Sequence, residues 1–130
     1  MYRKDFCVSV GEDRLKIELS AVLVDNGINI MLTGGESPHI GGVVMALPRN
    51  SLTGDGSSSD NWIIPVPGHK DVEAAKPVAE RICRETGLIT VVVGGIHIDQ
   101  AQEWELKQIL ENCKLATEII IKELRRNDRD

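Results

Sequence analysis

Residues 15–32 read Leu15-Lys16-Ile17-Glu18-Leu19-Ser20-Ala21-Val22-Leu23-Val24-Asp25-Asn26-Gly27-Ile28-Asn29-Ile30-Met31-Leu32. Leu15, Ile17, Leu19, Ala21 and Leu23 alternate with Lys16, Glu18 and Ser20. Side chains two apart in a strand share one face, so this is a long strand with a buried side. The alternation resumes at Ile28, Ile30 and Leu32. Between the runs stands Asp25-Asn26-Gly27, where Asn-Gly supplies the positive φ angles that a tight hairpin turn uses. An antiparallel hairpin over 15–32 is therefore the anchor of the fold.

Upstream, Phe6, Val8 and Val10 alternate with Cys7, Ser9 and Gly11, a second half-buried strand that turns at Gly11-Glu12-Asp13. Downstream, Gly34-Gly35 breaks the hairpin strand. Residues 40–47 are a further strand, ended by Pro48. Residues 50–61, rich in Ser, Gly and Asp, predict a mobile loop. Residues 62–66 form a short strand that Pro65 and Pro67 place at a sheet edge. Then the period changes. Val72, Ala75, Val78, Ala79, Ile82 and Cys83 have helical spacing, with Gly87 as C-cap. Pro77 lies too far in for a first-turn proline and predicts a kink or restart. The apolar run 88–93 predicts a central strand buried on both faces. A last helix follows from Ala101, with Trp104, Ile109, Cys113, Ala116, Ile120 and Leu124 on its apolar side. Asp99 or Gln100 starts it and the charged tail from Arg125 ends it. Strands, then helix, strand, helix, make a single α+β domain over residues 1–130. Its sheet is mixed and mostly antiparallel, with two long helices packed on one face.

The composition narrows the function. The chain has 130 residues, 42% of them apolar and 27% charged, so it can build a core. A net charge of -5 argues against general nucleic-acid binding, and four aromatics are too few for base stacking. Cys7, Cys83 and Cys113 are odd in number and form no C-x-x-C pair, which speaks against disulfides and a cysteine zinc site. No segment reaches the roughly 18 apolar residues of a membrane span, and the first residues lack a signal peptide's apolar stretch. The expectation is a soluble, cytoplasmic protein. The Ile119-Ile120-Ile121 run and the long hairpin suggest an oligomer, most simply a homodimer.

Three histidines occur, all in turn-like segments: His39 after Ser37-Pro38 and before Gly41, His69 between Gly68 and Lys70-Asp71, and His97 after Gly94-Gly95 and before Asp99. Gly34, Gly35, Gly41 and Gly95 let backbone approach a ligand closely. His69 and Asp99 precede the two helices, whose N-termini favour anions. Lys70 and Arg49 could add charge to a phosphate site. Against this, Asp71 and Asp99 are also ordinary helix-capping residues. Three imidazoles with an open position would suit a metal, though none shares a short ligand spacing with another. The Ser57-Ser58-Ser59 run lacks a G-x-S-x-G context, and no G-x-G-x-x-G dinucleotide fingerprint exists. The segments together predict one shared cleft.

The blocks Gly34-Gly35-Glu36-Ser37-Pro38-His39-Ile40-Gly41, Pro48-Arg49-Asn50-Ser51-Leu52, Val66-Pro67-Gly68-His69-Lys70-Asp71 and Gly95-Ile96-His97-Ile98-Asp99 resemble those of the small D subunits of gallate (hydroxyarylic acid) decarboxylases, a prenylated-flavin chaperone-like family. The resemblance spans roughly residues 15–125; Pro77 departs from it. It implies a fold similar to proteasome assembly chaperones. It also implies a non-catalytic subunit that binds or delivers prenylated FMN, or FMN, to the large subunit of a UbiD-type decarboxylase. The four blocks, including Gly34, Gly35, Ser37, His39, Gly41, Arg49, Gly68, His69, Lys70, Asp71, Gly95, His97 and Asp99, would hold that cofactor. The alternative is a small enzyme using His39, His69 and His97 for acid-base or metal chemistry.

Overall fold

A computed structural model describes residues 3–54 and 56–127. The elements run β1 (Lys4–Val10), a 3-10 turn (Asp13–Leu15), β2 (Ile17–Val24), β3 (Gly27–Gly35), β4 (Gly42–Asn50), β5 (Ser57–Pro65), α1 (Val72–Thr86), β6 (Ile89–His97) and α2 (Glu103–Asn127). The six strands form one sheet in the order β1-β2-β3-β6-β4-β5. Every neighbouring pair is antiparallel except β3 and β6, which run parallel at its centre. Both helices cover the same face, α1 over β4, β5 and β6, and α2 over β1 and β2. The expected α+β architecture is the observed one.

The alternation in β2 and β3 builds the core as expected: Ile17, Leu19, Ala21, Leu23, Ile28, Ile30 and Leu32 are all buried beneath the helices. From α1 come Ala75, Val78, Ala79, Ile82 and Cys83, and from α2 come Ile109, Cys113, Ala116, Ile120 and Leu124. Within the Ile119-Ile120-Ile121 run, Ile120 and Ile121 are buried and Ile119 is exposed.

Several local expectations need correction. The β2–β3 hairpin forms, but Val24 pairs with Gly27, so its two loop residues are Asp25 and Asn26, and neither has positive φ. Gly27 serves another purpose: a Cβ there would lie 2.6 Å from the Ile89 carbonyl oxygen of β6. Pro48 does not end β4, which continues to Asn50. Pairing with β6 stops at Ala46, so beyond it β4 has a neighbour on one side only, where a missing N–H is tolerated. Of the loop expected over 50–61, Asn50 and residues 57–61 are strand, because Asn50 pairs with Ser57 and the chain zips back along β4. The final edge strand is therefore nine residues long. Helix α1 runs through Pro77 without restarting. The proline is exposed, so water can bond the Glu73 carbonyl that its absent N–H leaves free. Helix α2 begins at Glu103 rather than at Asp99, because Gln100 has positive φ and the Gln102 carbonyl accepts the first helical N–H groups. Trp104, expected on the apolar side of α2, is exposed.

The largest correction concerns the second sheet face. In β6, Thr90 and Val92 are buried under the helices, while Val91 and Val93 point the other way and are only half-buried. No element lies on that side among the described residues. The central strand is covered on one face, not two.

Candidate functional site

The carboxyl ends of the parallel pair β3 and β6 meet the first residues of β4 and α1 at one end of the sheet. Three loops converge there: residues 36–41, 66–71 and 98–102. Their glycines make room for the protein's own chain. A Cβ on Gly95 would occupy the position of the His39 carbonyl oxygen, and one on Gly41 would collide with the Asp71 carboxylate. Gly35, at φ 74°, lies against the His97 carbonyl in the same way. The glycine-rich blocks thus pack these loops together, whereas ligand approach was the expectation. Gly34 likewise abuts the Lys16 carbonyl. Gly68, at φ 85°, stands in open space and serves the turn before His69.

Asp71 is the hub. It occupies the N-cap position of α1 but makes no side-chain cap hydrogen bond. Its carboxylate, 9% exposed, is turned toward the sheet. Oδ1 accepts the Ile96 N–H at 2.8 Å, and Oδ2 lies 3.0 Å from His39 Nε2 and 3.7 Å from His69 Nδ1. His39 Nδ1 faces the Ser37 carbonyl oxygen at 2.9 Å. That backbone acceptor, with help from Asp71 and against partial burial, raises the His39 pKa above its ordinary value. The His39 ring centroid is 4.8 Å from that of His69 and 6.4 Å from that of His97. His97 is exposed and its Nε2 donates to Asp99 Oδ1 at 2.7 Å. Lys70 is exposed beside His69. The convergence of the three histidines expected from sequence is therefore met.

Arg49 does not share the site. It lies seven residues beyond Gly42 on β4, roughly 23 Å away at about 3.3 Å per residue, and pairs with Asp60. Asp99 does not cap α2; it sits in the preceding turn and faces His97. A cavity of about 550 Å³ lies away from the histidines, between α1 and α2, bordered by Pro77, Arg81, Arg84, Leu110 and Lys114.

One charged network escaped the sequence reading. Arg14 donates to both carboxylate oxygens of buried Glu105, at 2.8 and 2.6 Å, to Glu36 at 3.2 Å and to the Asp99 carbonyl at 3.0 Å. Glu36 also accepts the Asp99 N–H. The Arg14 hydrogen bonds hold Glu105 below the usual carboxylate range. This network clamps two of the site loops to the start of α2. Partners 91 residues apart leave no local signal.

Beside the histidines the surface turns apolar. Ile40 is 63% exposed, and on β5 Ile64 and Trp62 are 66% and 57% exposed. A polar end that carries three histidines and Lys70 beside Asp71 and Asp99 thus adjoins an apolar sheet face.

Fold and site together define a two-layer α+β domain with a histidine cluster at one end of its sheet. A chain from the crystal structure of a novel chaperone complex for yeast 20S proteasome assembly superposes with a TM-score of 0.60 at 15% identity, over 97% of this chain and 98% of that one. At that identity the likeness is one of fold. The chain belongs to the prenylated flavin chaperone LpdD-like domain family, whose model matches residues 11–125. No curated protein matches it significantly. No described helix is long and apolar enough to cross a membrane.

Proposed function

We propose that this chain is a non-catalytic chaperone subunit that binds prenylated FMN and hands it to the large subunit of a UbiD-type hydroxyarylic acid decarboxylase. The observation that carries this reading is the meeting of His69, Lys70 and His97 with exposed Ile40 at one sheet end, from which the open face continues past exposed Ile64 to Trp62 further along β5, in a chain of the prenylated flavin chaperone family. The cationic Lys70 and the outward edges of the two exposed imidazoles meet the phosphate. His39 contributes differently, since both its ring nitrogens already face protein acceptors. The isoalloxazine lies on the apolar side. Bound flavin supplies the electron sink for decarboxylation in the partner enzyme; this chain's residues only hold and release it.

A second copy of the chain closes the site in this reading. The middle of the open sheet face holds Val22, Met31, Val43, Met45, Val91 and Val93, with no charge, while Asp5, Glu18 and Asp60 stand at its margins. Two such faces stack without burying an unpaired charge, which favours an isologous homodimer. The three free thiols, two of them buried, accord with a reducing cytoplasmic setting.

The test is titration of FMN into wild type and Lys70→Ala with chelator present. Losing a charge-assisted contact of about 1.5–3 kcal/mol weakens binding roughly 10- to 150-fold. Equal affinity in both proteins would remove Lys70 from the site; no binding by either would overturn the flavin reading.

A further inference from the structure

His39, His69 and Asp71 hold their ligating atoms within 4.8 Å of one another. The hydrogen bonding around His39 says what belongs between them. The Ser37 carbonyl oxygen can only accept, so the hydrogen of that contact sits on His39 Nδ1. In a neutral imidazole the other nitrogen then carries a lone pair. That nitrogen, Nε2, points at Asp71 Oδ2 from 3.0 Å. Two acceptors at hydrogen-bond distance need a positive species between them, either a proton or a metal ion.

The surroundings favour a metal site. Asp71 Oδ1 is fixed by the Ile96 N–H, which aims Oδ2 at the imidazoles. A carbonyl behind the distal ring nitrogen is the usual support of a metal-binding histidine, since it fixes both tautomer and ring plane. Two donor atoms about 2.1 Å from a metal lie about 3.0 Å apart at the right angles of an octahedral site and about 3.4 Å apart in a tetrahedral one, and the His39–Asp71 separation is 3.0 Å. His69 Nδ1, 3.7 Å from the same oxygen, is on an exposed ring that a small rotation brings to the third position.

We propose that His39 Nε2, His69 Nδ1 and Asp71 Oδ2 form a site for one divalent first-row transition metal ion. Two imidazoles and a carboxylate suit Fe²⁺, Co²⁺ or Zn²⁺, while Mg²⁺ and Ca²⁺ take oxygen ligands. Three protein ligands leave positions open toward solvent beside Lys70, for water or for an oxygen of a bound anion. The site does not depend on flavin binding, so it is probed with metal alone.

The experiment titrates Co²⁺ into chelator-treated protein without flavin and follows the visible d–d absorption, with Zn²⁺ as competitor. Wild type is expected to saturate at one Co²⁺ per chain and to lose the band on adding Zn²⁺. His69→Ala and His39→Ala are each expected to weaken binding roughly 10-fold or more. Far-UV circular dichroism without metal checks that the variants are folded. If His39→Ala is not, the exposed His69 decides alone. A non-saturating response, or unchanged affinity in the folded variants, overturns the proposal.

Discussion

A methyl group at Gly95 would take the place of the His39 carbonyl oxygen, and no flexible side chain is there to yield. Gly95→Ala should therefore destabilise the chain by about 1–3 kcal/mol, the range for forcing atoms into packed space, and should displace His39. Gly68 gives the contrast. Nothing lies within 4 Å of a Cβ there, and only its positive φ opposes a side chain. Gly68→Ala should cost about 1–2 kcal/mol and leave the His39 environment unchanged. Urea denaturation with the His39 imidazole resonances as a second readout separates the two. At this scale the sequence was legible as far as residue type and turn context. His39, His69 and His97 were found from Gly- and Pro-rich segments because such turns gather at strand ends. The role of Asp71 was not legible: a helix-start aspartate reads as a cap, and only the fold shows its carboxylate reaching the Ile96 amide 25 residues away.

Helix α1 carries an unmade hydrogen bond at Pro77, in its second turn. Pro77→Ala restores an N–H for the Glu73 carbonyl and should raise stability by up to about 3 kcal/mol, less the entropy that proline removes from the unfolded chain. Thermal or urea unfolding of the variant measures this. The start of α2 depends on charge instead. Glu105 titrates below its ordinary value of 4.5 because Arg14 donates to it. Its contribution is therefore present above that value and is lost as pH falls through the lower, folded value. Glu105→Gln should be less stable than wild type at neutral pH and should show a shallower loss of stability in acid. Parallel pH-dependent urea titrations read both. Elements with a local period were legible: the alternation in β2 and β3 and the helical spacing of α1 are written in neighbouring residues. The lengths of β4 and β5 were not, because Pro48 and the serine run look like breakers and only their pairing with each other sustains them.

For the molecule as a whole, the parallel pairing of β3 with β6 sets both the site and the uncovered face, and no local pattern announces it. The run 88–93 looked buried on both sides because Val91 and Val93 are as apolar as Val92. The sequence records how apolar that second face is, and the structure shows that no element among the described residues covers it. If a second copy does so, Trp62→Glu places a charge at the contact while sparing the fold, since the side chain is 57% exposed. Sedimentation velocity should show a dimer for wild type and a monomer for the variant; a monomeric wild type would remove the dimer from the account. The class of fold was thus readable from the order of elements, and the histidine cluster from its turns. Arg49 stands far from the histidines because β4 runs on through Pro48, a residue that locally reads as a strand end. The central claim is that this chain carries prenylated flavin, and the most direct measurement is co-expression with a flavin-prenylating enzyme followed by purification of the chain alone. The account predicts that the protein retains flavin absorbance, with the extracted cofactor prenylated, and that Lys70→Ala retains much less. A colourless wild-type protein, purified folded alongside a demonstrably active prenylating enzyme, would contradict it.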